Sequence, residues 1–519
     1  MNQNNKGYVV VAEDGVTAKK KHNTTDLAQM AANTVSIVGE EMIPGNEEDA
    51  IAAVNGNVDD EPEVKWKYMY VMLFVFCSIS DGFLFGYNGA ISAIFLEKGV
   101  PSEKRSVLSA IVSMYVLRMF VASITDKYYI RWIGKRKTYI LPGKLIIGLI
   151  YFLASFKIES WVKSENVWMI ALMYLCIGAV QLLEANAMIG IRLDVFGRRE
   201  AGSAASSATL GFFLGLSLGL QIFTVLNSEY MCEKLFGSNK AILSHQGMLR
   251  IVALLCLASF LVFMFIREKP AAKVLLKNVN TVLVMKAMYR VPVLRSALIW
   301  NFFGPTMAFA MKLAASQYYI KQGIKREDLI IFVSLITIPA QIISSLVWIK
   351  VVKRGRLLSL LWIVVLNTAF IEILNGLNCF FIDIKKDNYN LKMAIICLIS
   401  CLEVFANWNM VQQSFFIGSS PKEFTLMYMS TINSSMIGIR IVPIFAMLAF
   451  IDYIPLPYFF GFCLIAQLLF NFFTINQVKY IDTADPPRLG QDFLQMLDLL
   501  TVTKPSQEIE SPLIKVAPL

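Results

Sequence analysis

Apolar runs of about 18–25 residues recur through most of this chain, each long enough to cross a hydrocarbon layer about 30 Å thick. Twelve lie near 68–95, 107–124, 138–156, 167–187, 204–226, 248–266, 296–315, 329–349, 357–381, 391–416, 427–450 and 457–476. In lipid such a run must satisfy its own backbone hydrogen bonds, which makes each one a helix. The expected fold class is therefore an all-α multi-pass membrane protein. Of 519 residues, 56% are hydrophobic and 17% charged, against roughly a quarter charged in a soluble domain. One water-soluble core cannot hide that much apolar surface. A soluble enzyme, a disordered regulator and a coiled coil are excluded.

The charges fall between the spans in a pattern. Loops after spans 2, 6 and 8 are strongly basic and the loop after span 4 mildly so, while loops after odd-numbered spans are close to neutral. Basic loops stay in the cytosol, so both ends of the chain are expected there. The net charge of +10 then reports orientation, and nucleic acid is not an expected partner; the lipid bilayer is. Residues 1–65 are polar, with Lys19, Lys20 and Lys21 and an acidic run from Asp59 to Glu63, and read as a disordered tail with no signal-peptide pattern. The remaining divisions are a six-helix half over 66–266, a cytosolic linker over 267–295, a second six-helix half over 296–476 and a tail over 477–519. Within that tail, 489–502 has the apolar spacing of a short surface helix. Six spans plus six, joined by a long basic linker, resembles the layout of major facilitator transporters.

Little in the composition supports catalysis. There are two histidines, His22 and His245, and neither lies in an apolar run, which disfavours His-based metal or acid–base chemistry. A membrane-embedded acyltransferase would need such a group. No enzyme activity, cofactor or metal is expected. Of eight cysteines, only Cys232 stands apart from the apolar runs, and no disulfide framework is read.

Ionisable groups inside a membrane span cost several kcal/mol each and mark a pathway or a pair. Span 1 carries Asp81 with Asn88, span 2 Arg118, span 3 Lys144, span 4 Gln181, Glu184 and Asn186, span 7 Lys312, and span 9 Glu372. Span 10 carries Glu403, Asn407, Asn409, Gln412 and Gln413, and span 11 Asn433 and Arg440. Four interior cations, two in each half, suit a small anionic substrate held between the halves. The competing reading pairs the same cations with Asp81, Glu184, Glu372 and Glu403 as structural bridges. A third gives a carboxylate such as Asp81 or Glu403 a coupling proton. The candidate substrate site is Asp81, Asn88, Arg118, Lys144, Glu184, Lys312, Glu403, Asn407, Asn409, Gln412, Asn433 and Arg440. In span 5, Gly211, Gly215 and Gly219 recur every four residues, which lets another helix approach closely. Pro142, Pro339 and Pro443 are expected to kink their spans.

Several stretches carry a family resemblance. The loop between spans 2 and 3 places Asp126, Tyr129, Gly134, Arg136, Lys137, Tyr139 and Pro142 in register with D-x-x-Y-x-x-x-x-G-R-R-K-S-W-x-x-P of the acetyl-coenzyme A transporters, a branch of the major facilitators. Arg118 falls at that family's span-2 lysine. Asp81-Gly82 through Gly86, Gly89 and Ile91 resembles its Q-G-x-P-L-G-L-x-G-S-I, and Gly202, Ala204, Gly211, Gly215, Leu218 and Gly219 match its span 5. Ser228, Cys232 and Lys234 match S-x-x-F-C-N-K-Y, and Gly323 to Leu329 resembles G-V-P-K-E-H-L. Pro339, Gln341 and Ile343, then Tyr428, Met429, Asn433 and Pro443, continue the order. Asp126, Gly134, Arg136 and Lys137 form the expected gating loop.

The resemblance implies acetyl-CoA import into the endoplasmic reticulum by alternating access. Departures concentrate in the spans. Where the family carries Q-D-x-x-x-D-G-W-A, this chain reads from Glu184 to Arg192 without either aspartate; Asp81 and Lys144 replace glutamines, and Lys312 stands where an aspartate is common. Changed cavity charges shift specificity, so the alternative is a proton-coupled transporter of another small organic anion, peptide or nucleotide conjugate.

Overall fold

The computed structural model describes residues 66–502, apart from interruptions of which the longer are 269–278, 304–314, 352–372, 375–387, 422–425 and 435–452. Every described regular element is helical. In the first half, α1 spans Lys67–Glu97, and the second span is built from α2 (Ser102–Ala110), a 3-10 stretch Ile111–Leu117 and α3 (Arg118–Lys127). There follow α4 (Lys137–Ser155), a short α5 (Ile158–Lys163), α6 (Val167–Phe196) and α7 (Ala201–Ser217), which passes through a π turn at Leu218–Ile222 into α8 (Phe223–Asn227). The half ends with α9 (Glu229–Phe236) and α10 (His245–Phe265). The linker contributes α11 (Thr281–Arg290). In the second half stand α12 (Pro292–Phe303), α13 (Arg326–Val351), α14 (Tyr389–Phe405), α15 (Trp408–Ser419), a helix at 426–434, and α16 (Leu456–Asp482), followed by α17 (Pro486–Val502).

Helices stand at the expected spans wherever the described residues reach them; most of the seventh, ninth and eleventh spans lies outside. Among the described residues, five helices are long and apolar enough to cross a bilayer: α1, α4, α6, the α7–α8 unit and α10. At 1.5 Å per residue, the 31 residues of α1 run about 45 Å, enough to cross the core and both headgroup layers. Side chains such as Leu149, Leu153, Leu254, Leu261, Phe472 and Phe473 are exposed on outer faces, where lipid tails would cover them. Trp66, Trp132 and Trp168 are exposed at helix ends, the depth at which amphipathic rings prefer to sit. Polar caps start two spans. The Asn166 side chain accepts from the Met169 amide at 3.3 Å, and Ser244 Oγ from the Gly247 amide at 3.1 Å.

The span-5 glycines have a definite partner in α1. A Cβ on Gly215 would stand 1.9 Å from the Ile79 carbonyl oxygen, and one on Gly211 would stand 2.5 Å from the Val75 carbonyl oxygen. Gly82 and Gly86 of α1 reciprocate: their Cβ atoms would lie 1.8 Å from Phe212 O and 2.1 Å from Leu216 O. Backbone therefore touches backbone along this pair, which fixes α1 and α7 as one rigid unit.

Two apolar clusters fill the first half. One, at the end where α1 begins and α16 finishes (the tail end), joins Phe74, Ile140, Ile191 and Phe263 and continues into Phe415, Tyr428 and Phe493 of the second half. The other, towards the far end, joins Phe83, Tyr87, Ile147, Tyr151, Tyr174 and Phe223. The short helix expected over 489–502 forms α17. It buries Leu489, Phe493 and Leu497 against α11, α15 and the helix at 426–434, with Phe493 edge-on to Tyr428 at 5.2 Å.

Candidate functional site

Polar side chains that the membrane makes expensive collect between those two clusters. Lys144 of α4 is fully buried, and its Nζ is ringed by four oxygens: Ser80 Oγ at 2.6 Å, Glu184 Oε1 at 2.7 Å, and Asp81 Oδ1 and Cys77 O both at 3.0 Å. Gly143 makes room for this arrangement, because a Cβ there would press on the Glu184 side chain at 3.1 Å. Two carboxylates thus share one ammonium. The structural-bridge reading describes Lys144, Asp81 and Glu184 as they stand in this conformation. Asn88 is also engaged locally, donating to Leu108 O at 3.3 Å.

Arg118 differs. It is buried, and it donates to neutral acceptors: Asn186 Oδ1 at 2.6 Å through Nε and Ala185 O at 2.5 Å through Nη2. Asn186 returns a bond to Arg118 O at 3.0 Å and accepts one at 2.7 Å from Ser430 of the second half. Ser434 donates to Tyr115 O at 3.4 Å, and Asn433 lies buried between these two serines on the same helix. Arg118 therefore stands beside the seam between the halves, and among the described residues no carboxylate bonds to it. Of the other expected site residues, Lys312, Asn407 and Arg440 lie outside the described residues, as do the side chains of Glu403, Asn409, Gln412 and Asp126.

Arg192 was not among the expected site residues. The apolar run of span 4 fades after 187, so sequence reasoning puts Arg192 in a loop. In the structure α6 continues to Phe196 and buries Arg192, whose guanidinium bonds Ser78 Oγ and lies 5.9 Å from the centre of the Phe74 ring. Its Nε is buried without a hydrogen-bond partner. Among the described residues of this layer, Lys144, Arg118 and Arg192 face Asp81 and Glu184, which leaves one positive charge in excess. The seam where α7 and α8 meet α13 holds further buried polar atoms without partners, Gln221 Oε1, Gln341 Nε2 and Ser345 Oγ.

The expected gating loop is tied within the first half. Gly134 takes a left-handed backbone at φ 111°, and the amides of Arg136 and Lys137 donate to the Glu268 carboxylate at 2.7 and 3.2 Å. Glu268, at the end of the sixth span, thereby caps the start of α4, where the helix dipole favours an anion. Arg136 Nε pairs with Asp194 Oδ2 at 3.6 Å across Gly190, a position where any Cβ would meet the guanidinium. Sequence reasoning missed Asp194 and Glu268; their only signal is an acid placed just past a span end, opposite the basic loop.

Residues 67–291, which contain all of this first-half layer, match the family described as acetyl-coenzyme A transporter 1. Over this stretch, rather less than half of the chain, the sequence is similar to the acetyl-coenzyme A transporter family. The crystal structure of the human organic anion transporter MFSD10 (TETRAN) aligns with 79% of this chain and 100% of its own, with a TM-score of 0.51 and 13% identity. That likeness carries the fold, which is the major facilitator fold. An uncharacterized membrane protein of Saccharomyces cerevisiae is 23% identical over 344 residues, covering 54% of this chain and 60% of the relative. An uncharacterized protein of Schizosaccharomyces pombe is 24% identical over 191 residues, 36% of this chain and 34% of the relative. The chain thus spans less than two thirds of either relative. Within the matched stretch, α1, α4 and α6 bring together Asp81, Lys144 and Glu184.

Proposed function

We propose that this membrane transporter carries a small organic anion, with acetyl-CoA as the first candidate, across an intracellular membrane by alternating access of its two halves. The observation that carries this reading is Arg118: a buried guanidinium at the seam between the halves, bonded to neutral partners. A buried cation with no carboxylate bonded to it among the described residues is completed by an anion, and the guanidinium fork suits phosphate or carboxylate. Arg192 adds a second cation of the same kind. Lys312 and Arg440 are the proposed counterparts in the second half, with Asn407, Asn409, Gln412 and Asn433 bonding polar parts of the solute. The family match over 67–291 supports acetyl-CoA, and MFSD10, described as an organic anion transporter, supports the solute class. The basic loops favour cytosolic ends, and the family resemblance favours the endoplasmic reticulum. No enzymatic step is assigned.

The test is uptake of labelled acetyl-CoA into proteoliposomes, with Arg118→Ala as the comparison. The expected result is at least a tenfold fall in initial rate, since one lost charge-assisted bond is worth about 1.5–3 kcal/mol. Unchanged uptake removes Arg118 from the site. A second reading keeps the mechanism and changes the cargo. It is motivated by the charged triad at Asp81, Lys144 and Glu184, which is foreign to the family's pattern. A thermal-shift screen of nucleotide conjugates, organic acids and peptides separates the two, because a true ligand raises the melting temperature.

A further inference from the structure

The triad holds more acceptor than its lysine can serve. An ammonium has three N–H bonds, and Lys144 Nζ faces four oxygens within 3.0 Å, two of them from separate carboxylates. Glu184 is fully buried, and its Oε2 has no hydrogen-bond partner. Lys144 directly balances only one of the two carboxylates it touches, and a proton is the smallest ligand that can neutralise the other. Asp81 is built differently: its side chain keeps 19% of its exposure and accepts from Ser80 Oγ at 3.4 Å. Asp81 is therefore the more accessible of the two carboxylates, while Glu184 meets the same lysine fully buried.

We propose that Asp81, Lys144 and Glu184 form a proton-binding site that couples anion movement to protons. The proposal rests on the anion-transport reading for its coupling, though not for the proton site itself. The step is simple: one carboxylate gains one proton from solution on one side of the membrane and releases it on the other, and no covalent bond of the solute changes. The other ionisable groups facing the triad are Tyr115 and Arg118 from the second span, Arg192 from α6, Cys77 from α1, Cys256 from α10 and Tyr151 from α4. Arginines keep their charge and thiols and phenols stay neutral between about pH 5 and 7, so none of these neighbours competes with a carboxylate of the triad for the proton. Protonation raises the positive excess of the described layer from one charge to two, which favours an anion at Arg118. Linkage is reciprocal, so the bound anion favours the proton equally, and the two move in the same direction.

Three measurements test this. The first needs no solute: infrared difference spectra of the purified protein, titrated between about pH 5 and 8, are expected to show a protonated carboxyl band that Glu184→Gln removes. Absence of a titrating band, or its survival in Glu184→Gln, overturns the proton site. The second adds acetyl-CoA to the protein in weakly buffered detergent. The wild type is expected to take up about one proton per ligand bound and Glu184→Gln none; equal uptake by both overturns the coupling. The third compares uptake driven by an inward proton gradient with exchange at equal pH. The ratio is several-fold in the wild type and falls to one in Glu184→Gln and Asp81→Asn whatever the absolute rate, and a variant that keeps the wild-type ratio overturns the coupling. Failure of acetyl-CoA to bind, with the infrared band present, defeats the choice of cargo and leaves the proton site standing.

Discussion

Replacing Lys144 with Met separates the two parts Lys144 could play. The side chain is fully buried and balances two carboxylates, one of them also fully buried, at 2.7 and 3.0 Å. Removing one partner of a buried ion pair costs about 3–5 kcal/mol, because the other partner is left uncompensated. Lys144 serves two partners, so the upper part of that range applies to Lys144→Met, limited by protonation of the carboxylates. A loss of that size corresponds to a fall in melting temperature on the order of 4–5 °C for a chain this long. Adding Asp81→Asn and Glu184→Gln to Lys144→Met removes the stranded charges, and a neutral substitute for a buried ionic cluster is often as stable as the original. The triple variant is therefore expected to recover most of the loss, and the non-additivity measures the triad directly. The assay is thermal unfolding in detergent, followed by intrinsic fluorescence, at pH 7.5. A single variant as stable as the wild type, or a triple variant no better than the single, would refute the pairing argument.

Gly215→Leu is expected to prevent accumulation of folded protein, because even its Cβ would stand 1.9 Å from the Ile79 carbonyl oxygen; Gly178→Ala, with nothing within 4 Å of the new methyl, should match the wild type in yield and melting temperature. Glu268→Gln keeps the shape of the cap on α4 and removes its charge, so it should lower stability by about 1 kcal/mol, read as a small fall in melting temperature that salt reduces. Cysteines at positions 228 and 327, whose present side chains meet at 3.3 Å, should be bridged by a short bifunctional thiol reagent in a background lacking Cys176 and Cys232. Uptake should then stop until the bridge is reduced; continued uptake would mean that this end of the seam does not open.

The spans were legible because about 20 apolar residues in sequence have few other uses. The partner of the span-5 glycines was not, since spacing shows that a helix can approach but not which one does; Gly82 and Gly86 complete the match only in three dimensions. The intramembrane charges were legible as a set, and their division was not. Asp81, Lys144 and Glu184 lie on three different spans, and nothing in one sequence says that both acids choose Lys144 and leave Arg118 to Asn186. Arg192 escaped for a local reason: hydropathy falls where Arg192 and Asp194 enter, although α6 continues for more than two turns past 187 with its cation turned inward. Glu268 and Asp194 escaped because a cap or an ion pair between distant segments leaves no periodic trace.

The same division shows where the molecule is built to move. Inside the first half, α1 and α7 are locked backbone to backbone by glycines, and α1, α4 and α6 meet at a buried charge cluster. Both contacts are expensive to break, so these helices travel together. The described polar contacts that cross between the halves are of another kind. Ser430 with Asn186, Ser434 with Tyr115 O, Gln221 with Thr337, Ser228 with Glu327 and Tyr453 with Glu103 are single hydrogen bonds between 2.7 and 3.4 Å. Each is worth about 0.5–1.5 kcal/mol net, and water can replace it when the seam opens. Lys234 with Asp328 is a long pair at 3.9 Å with its lysine exposed, of the class that contributes little. Lys325 over the Tyr230 ring, at 3.9 Å, adds one cation–π contact of about 0.5–1 kcal/mol at an exposed site. The polar part of the seam can open for a few kcal/mol, while at the tail end the apolar cluster that runs into Phe415 and Tyr428 must part as well. Arg118 sits at the boundary between the two regimes: its backbone belongs to the rigid half, and its partner Asn186 is shared with Ser430 across the seam. An anion that draws the guanidinium away from Asn186 would therefore loosen a cross-seam bond as it binds, which ties occupancy of the site to the rocking of the halves.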